Sequence, residues 1–255
     1  MRAAHRVVFV WLAMAAVASA AAVWDAKPFT QWSDKDVEKL LTDSPWAGKA
    51  SITHNREGAN LGPVPEWKLI VSVQSALPVK EALVRRSLGA GVTPSPELET
   101  QMNAVSTKYV VAISNIPRMY ERQLVKSAQA ATLHPKGKSP LAATDASVIL
   151  LDKDGKRVES EAPRPQASSR VQIVTVAQRG GGGGGFGGGG FGGGGFGGGG
   201  EDKSGITATL ILEFPKTTLI TLDDQAVELS TVIGTYAVKK TFKLKDMMFM
   251  EALAF

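Results

Sequence analysis

The fold is decided by a stretch near the end of the chain, Ile206-Thr207-Ala208-Thr209-Leu210-Ile211-Leu212-Glu213-Phe214. Apolar side chains occupy every second position, and Thr207, Thr209 and Glu213 lie between them. Successive side chains of a β-strand point to opposite faces, so this alternation predicts a strand with one buried face. A second alternating stretch runs from Tyr236 to Lys245. Two half-buried antiparallel strands are therefore expected.

A tract of glycine and phenylalanine, residues 180–200, precedes the first of these strands. Glycine has no side chain to bury and loses the most backbone entropy on ordering, so the tract is predicted to be a disordered loop. Residues 170–178 and 205–214 both favour strands, and the simplest arrangement pairs them as neighbours across this loop. The loop-closure entropy grows only logarithmically with length, so such an insertion is tolerated.

The phenylalanines of the tract, Phe186, Phe191 and Phe196, are candidate contacts for a partner, a membrane face or one another. The alternative is a passive loop produced by repeat expansion, which low-complexity composition favours. A phosphate-binding loop is a weaker hypothesis, because such loops are short and lead into a helix, whereas Gly200 precedes Glu201, Asp202 and a predicted strand.

The first half of the chain favours helices that alternate with short strands. Ser33 and Asp36 form a capping-box pattern, which predicts a helix that ends near Thr42, before Ser44-Pro45. Three further helices are predicted in this half, at 78–89, 95–105 and 117–133. Two short strands are predicted at 67–73 and 109–113. Together these patterns predict an α+β fold with helices mostly in the first half and an antiparallel β-sheet in the second half, interrupted by the Gly/Phe loop.

Domain organisation follows from size. The 55 residues after the tract contain amphipathic strands and no cysteine. A segment of this size cannot bury its apolar faces alone. Residues 21–179 and 201–255 are therefore expected to form one α+β domain, with 180–200 as an inserted loop.

The start of the chain predicts export. Arg2 and Arg6 precede an apolar run from Val7 to Val17, and Ala18-Ser19-Ala20 offers a small-residue cleavage site. This is the pattern of a signal peptide over residues 1–20, so a periplasmic or extracellular location is expected. An uncleaved anchor is the alternative, although the apolar run is shorter than the ~20 residues that span a bilayer.

Charge and cysteine content narrow the class of protein. The formal charge of +5 falls to +3 once Arg2 and Arg6 leave with the leader. This small excess, spread along the chain, gives no reason to expect nucleic acid as a partner. The absence of cysteine excludes disulfides and a lipid-modified cysteine after the leader.

Candidate catalytic groups are few, since His54 and His134 are the histidines that remain after the leader. Both are predicted in loops, and no nucleophile motif or metal-ligand spacing accompanies them. Asp152-Lys153-Asp154-Gly155 resembles the start of a calcium loop but lacks its later ligands, so a hairpin turn is favoured. No catalytic residue, metal or cofactor is predicted.

Tryptophan provides the candidate ligand contacts, which are Trp24, Trp32, Trp46 and Trp67. Exposed indole rings bind sugars or Pro-rich peptides. Trp32 and Trp46 flank the first predicted helix as a hydrophobic staple and an anchor, which favours core packing for them.

The segment Trp32-Ser33-Asp34-Lys35-Asp36-Val37-Glu38-Lys39-Leu40-Leu41-Thr42-Asp43-Ser44-Pro45-Trp46-Ala47 resembles the opening of a group of exported bacterial proteins without an assigned activity. These share a tryptophan, a short acidic helix and a Ser-Pro-Trp-Ala ending soon after a signal peptide, and residues 242–247 also resemble the group. The resemblance implies an envelope or secreted location and no catalytic residues.

The leading functional hypothesis is a non-catalytic exported protein that binds an envelope protein, a glycan or another envelope component. Membrane contact is expected only through an uncleaved leader. The alternatives are an exported hydrolase or glycan-processing enzyme and a glycan-binding module that uses exposed tryptophan.

Overall fold

A computed structural model describes residues 23–56, 62–152, 156–158, 172–175 and 205–255. The predicted signal peptide, residues 1–20, lies outside the described residues. So does the Gly/Phe tract, residues 180–200, with Phe186, Phe191 and Phe196.

The helices of the described residues lie mostly in the first half of the chain. The α-helices are α1 (Val23–Ala26), α2 (Asp34–Thr42), α3 (Leu77–Leu88), α4 (Pro96–Asn103) and α5 (Leu124–Gln129). Short 3-10 helices cover Phe29–Gln31, Arg118–Gln123, Leu222–Asp224 and Leu244–Asp246. Within the described ranges, no helix is long and apolar enough to cross a membrane.

Strands are distributed along the whole chain. They are β1 (Ala47–Lys49), β2 (Ser51–His54), β3 (Ile70–Val73), β4 (Lys108–Pro117), β5 (Thr132–Pro135), β6 (Leu141–Ala142), β7 (Asp145–Leu151), β8 (Arg157–Val158), β9 (Gln172–Thr175), β10 (Thr207–Pro215), β11 (Ala226–Ile233), β12 (Tyr236–Lys243), β13 (Met248–Phe249) and β14 (Ala252–Leu253). The large sheet has the order β1-β3-β4-β10-β7-β8, with β9 also on β7, and a second sheet has the order β2-β12-β11-β5-β6. The short hairpin β13-β14 follows them.

The predicted buried face of the central strand is confirmed. Ala208, Leu210, Leu212 and Phe214 of β10 are fully buried and alternate with partly exposed neighbours. They join side chains of the second sheet, such as Leu229 and Phe242, in one hydrophobic cluster. Helix α5 contacts β11 of the second sheet and β7 and β10 of the large sheet. The predicted α+β class, with helices mostly N-terminal and antiparallel strands, is thus confirmed.

Helix ends follow the predicted caps. The Ser33 hydroxyl accepts a bond from the Asp36 N–H at 3.2 Å, and the Asp36 carboxylate accepts one from the Ser33 N–H at 2.9 Å. Ser95 caps α4 in the same way through the N–H of Leu98. Val105, predicted on that helix, lies beyond its end at Asn103 and is 89% exposed.

Two element predictions are wrong in their bounds. The helix predicted over 117–133 is a 3-10 turn followed by the short α5, and Leu133 lies in β5 opposite Leu229 of β11. In this segment every second residue is buried, as the burial of Ala131, Leu133 and Pro135 shows, because the chain joins the second sheet. The strand predicted from Trp67 begins only at Ile70.

The expected pairing of residues 170–178 with 205–214 is also wrong. Strand β9 lies parallel to β7, and β7 separates it from β10. Both edges of β10 are occupied, one by β4 and the other by β7. Alternation identifies the buried face of a strand but not its neighbours, so the sequence pattern could not reveal this order.

Candidate functional site

A cleft with a volume of about 290 Å³ lies between the start of α3, the end of α4 and residues 249–255. Its polar lining residues are Ser75, Lys80, Asn103, Ser106 and Lys216. Apolar side chains such as Leu77, Phe249 and Leu253 form most of the remaining wall. We call it the lysine cleft. Its size is near the lower end for small-ligand pockets.

Local structure places Lys80 at the cleft. Helix α3 begins at Leu77, with Pro78 in its first turn, so Lys80 lies one turn from the helix start. Its ammonium group donates bonds of 3.1 Å to the carbonyls of Met102 and Ala104, at the end of α4. These carbonyls have no partner within the α4 helix, so Lys80 stabilises that helix end. Burial lowers the pKa of Lys80.

Lys216 is the second cation of the cleft and directly follows β10. Its Nζ lies 4.8 Å from the ring centroid of Tyr109, a cation–π contact. Burial lowers the pKa of Lys216, and the positive charge of Lys80 lowers it further. Within the part of the chain that the structure describes, neither lysine forms an ion pair with a carboxylate. The cleft therefore holds two cations that have no ion-pair partner among the described residues.

The aromatic support beneath Lys216 is held in place by polar and ring contacts. The Tyr109 hydroxyl accepts a bond of 2.9 Å from the Ile220 N–H, and its ring meets that of Phe255 edge to face at 5.5 Å. Phe255 in turn contacts Phe242 of β12 at 6.1 Å. This side of the cleft is therefore continuous with the hydrophobic core.

The outer rim of the cleft includes a strained turn. Strands β13 and β14 are joined by Met250 and Glu251, whose φ angles are 48° and 64°. Consecutive left-handed residues favour glycine or asparagine, so this pair is costly. The turn leaves the Met250 side chain 73% exposed at the cleft, and Val105 of the same lining is 89% exposed.

The four candidate tryptophans, which all follow the predicted leader, have different environments. Trp32 and Trp46 are buried at 1% and 0% exposure, as core packing requires. Trp24 is half-buried, and its ring meets that of Trp46 at 5.7 Å. Trp67 lies apart from them, also half-buried, against Tyr120 at 4.7 Å and Tyr236 at 5.1 Å.

The Trp67 cluster, consisting of Trp67, Tyr120, Tyr236 and His54, lies where β2 and β12 pair. The rings of Trp67 and both tyrosines have no side-chain hydrogen bond within the described ranges, and all are partly exposed. Burial raises the pKa of Tyr120, and the electrostatic interaction with Tyr236 raises it further. The structure therefore brings Trp67 together with two tyrosines that the sequence analysis did not single out.

The two histidines lie in strands rather than in the predicted loops. His54 Nε2 lies 2.8 Å from the Gly62 carbonyl, and His134 Nε2 lies 2.9 Å from the Lys138 carbonyl. Among the described residues, no group of three His, Asp or Glu side chains is arranged to hold a metal ion.

No sequence motif marks the lysine cleft. Lys80 lies within helix α3, and Lys216 follows a proline at the end of a strand, so nothing in the local sequence links the two lysines. Lys80 lies on α3 and Lys216 after β10, so their proximity depends on the packing of two segments that are far apart in the sequence. Glu81 directly follows Lys80, and Glu213 lies three positions before Lys216, so the local sequence gives no sign that either lysine lacks a carboxylate partner.

No family model, curated protein or solved structure matches this chain. The resemblance of residues 32–47 to exported bacterial proteins stays a prediction.

Proposed function

We propose that this protein is exported and binds, without turnover, an envelope component that joins an anionic group to a short apolar chain. One observation carries the proposal: two half-buried ammonium groups, Lys80 and Lys216, lie in an otherwise mostly apolar cleft, and no carboxylate of the described residues pairs with either. The export part of the proposal comes from the signal pattern of residues 1–20.

The cleft supports a two-part ligand. A carboxylate or phosphate would accept hydrogen bonds from Lys216 and from the remaining N–H of Lys80, whose other two protons go to backbone carbonyls. Such charge-assisted bonds contribute roughly 1.5 to 3 kcal/mol each. An apolar chain would lie against Phe249 and Leu253, where each buried methylene contributes about 0.8 kcal/mol.

Calorimetric titration tests this proposal with hexanoate, butanoate and hexanol. Hexanoate should bind saturably, butanoate roughly fifteenfold more weakly because two methylenes are lost, and hexanol at least about tenfold more weakly because it carries no charge. Lys216→Ala should weaken hexanoate binding about tenfold or more, and Lys216→Arg should retain most of it.

Lys126→Ala is the matched control, because Lys126 is exposed on α5 and outside the cleft. It should bind hexanoate like the wild type. Equal binding of hexanoate and hexanol, or equal losses in Lys216→Ala and Lys126→Ala, would refute the role of the cleft.

Export has its own test. The chain, expressed in a Gram-negative bacterium, should be recovered from the periplasm or medium with a mass that corresponds to cleavage near Ala20. Recovery of the full-length chain from the cytoplasm would refute this part of the proposal.

The Trp67 cluster supports glycan binding as a second candidate function. Its partly exposed rings keep an indole N–H and two phenol hydroxyls without a partner in the described ranges, and such rings stack on sugars while polar tips bond sugar hydroxyls. Titration with soluble envelope polysaccharides should shift tryptophan fluorescence, and Trp67→Ala should abolish the shift while Trp24→Ala retains it. An unchanged shift in Trp67→Ala would exclude this cluster.

A further inference from the structure

The rim of the lysine cleft is apolar and exposed. Val105 and Met250 both line the cleft, and their side chains are 89% and 73% exposed. They come from separate segments, one beyond the end of α4 and the other at the β13-β14 turn. Two large apolar side chains thus lie next to two lysines that have no carboxylate partner among the described residues, and the surface is both apolar and cationic.

The turn that presents Met250 is energetically unfavourable. Met250 and Glu251 both have left-handed backbone conformations, and neither is glycine or asparagine. Strained backbone is maintained where the surrounding structure fixes it, and such positions cluster at binding sites. A two-residue hairpin loop favours positive φ at both of its residues, so the β13-β14 hairpin fixes this conformation and with it the exposed position of Met250.

We propose that the lysine cleft docks on the surface of an anionic bilayer, with a phospholipid head group at Lys80 and Lys216 and with Val105 and Met250 inserted among the acyl chains. This inference rests on the proposed function, whose anionic amphipathic ligand it identifies as a membrane lipid. It differs from the sequence-based expectation that membrane contact is confined to an uncleaved leader.

A soluble ligand would leave the rim unexplained. A compound enclosed by a cleft of about 290 Å³ covers little of two side chains that project outward. A bilayer provides negative charge at its surface and apolar chains just beneath it, which matches cations in the cleft and apolar groups on its rim. Glu251 is exposed beside Met250 and opposes this attraction.

Few inserted groups imply reversible attachment. Stable anchoring to membranes takes several hydrophobic or electrostatic contributions, and each basic residue near an anionic surface adds about 1 kcal/mol. The contact should therefore weaken as salt screens the charges.

Vesicle flotation tests the inference with the purified full chain and vesicles of phosphatidylcholine, with and without phosphatidylglycerol. Wild type should float with the phosphatidylglycerol vesicles and not with phosphatidylcholine alone. Met250→Asp and Val105→Asp should each weaken this binding at least about tenfold, and Lys216→Ala about fivefold. Glu251→Gln should strengthen it.

Met119→Asp is the matched control, because Met119 is 57% exposed and is not part of the cleft lining. It should bind vesicles like the wild type. Both methionines are exposed, so both variants should fold, which an unchanged melting transition confirms.

Hexanoate calorimetry on the same proteins separates the two proposals. Retained hexanoate binding by Met250→Asp, with vesicle binding lost, supports bilayer docking. Hexanoate binding by wild type without vesicle binding overturns the docking inference and leaves the cleft as a site for a soluble ligand. Vesicle binding that is unaffected by Met250→Asp and Val105→Asp also overturns the inference.

Discussion

The indole N–H of Trp46 donates a hydrogen bond of 2.7 Å to the carbonyl of Ala254, 208 positions later in the chain. The Trp46 ring also meets the ring of Phe249 edge to face at 6.2 Å. Phe249 and Ala254 both line the lysine cleft. Trp46, which follows α2, thus holds in place the C-terminal segment that forms one wall of the cleft.

Trp46→Phe should remove that hydrogen bond and leave the Ala254 carbonyl without it. We expect the free energy of unfolding to fall by about 2 kcal/mol, with weaker hexanoate binding because the cleft wall loosens. Urea denaturation and calorimetry measure both effects. Trp24→Phe is the control, since Trp24 is half-buried and its indole has no such bond in the described ranges, and it should cost less than about 1 kcal/mol. Equal losses in both variants would contradict the anchoring role.

Glu81 should make the protein less stable as pH rises. It is buried at 7% exposure on α3, and burial raises its pKa to about 7 from 4.5. The folded state therefore holds a proton between these pH values that the unfolded state has lost. The free energy of unfolding should fall across this window by at most about 3 kcal/mol.

Glu81→Gln should remove this pH dependence. Urea denaturation at pH 4.5 and pH 8 should give a smaller difference for Glu81→Gln than for wild type. Glu99→Gln, on the exposed side of α4, should behave like wild type. The same slope in Glu81→Gln and wild type would show that the buried carboxyl is not responsible.

Gly234 should not tolerate a side chain. It has a φ of 63°, and an added Cβ would lie 2.7 Å from Cε1 of Tyr120. Gly137 has a similar positive φ of 80° but open space around it. Gly137→Ala should therefore cost about 1 kcal/mol from backbone strain alone, while Gly234→Ala should cost at least ~2 kcal/mol and disturb Tyr120. Thermal unfolding of both variants decides this, and similar losses would mean that the Tyr120 ring moves aside freely.

The capping box of α2 should contribute measurably. Ser33→Ala removes the acceptor for the Asp36 N–H and should lower the free energy of unfolding by about 1 kcal/mol.

Hydrogen bonding to Lys27 and to Ser33 lowers the pKa of Asp36 to about 2 from 3.8. The contribution of Asp36 is thus present above pH 3.8 and declines toward pH 2. When the free energy of unfolding is measured as pH falls, Asp36→Asn should lack this loss of stability between pH 3.8 and pH 2. An acid transition identical to that of the wild type would contradict the role of Asp36.

Local patterns predicted much of the fold. The alternation in 206–214, the Ser33 cap and the Ser95-Pro96 start of α4 depend on neighbouring residues, and the structure has each of them. The position of β9 and the entry of Leu133 into β5 depend on pairing with distant strands, which local periodicity does not encode.

The candidate site could not be read from the sequence for the same reason. Glu81 and Arg85 of α3 are charged yet buried, which the helical pattern of residues 78–89 does not reveal. Arg85 pairs with Asp34 of α2 at 3.2 Å. Charge at a position says little about exposure when another helix covers it.

The central claim, that Lys80 and Lys216 together bind an anion, is tested most directly by NMR of the lysine side chains. In protein labelled with ¹³C at lysine Cε, hexanoate should shift the Lys80 and Lys216 signals and raise the pKa of Lys216, because a bound anion favours the charged amine. Lys126 should not respond, and Lys216→Arg assigns the signal. Unchanged signals from Lys80 and Lys216, or equal shifts at all lysines, would contradict the claim.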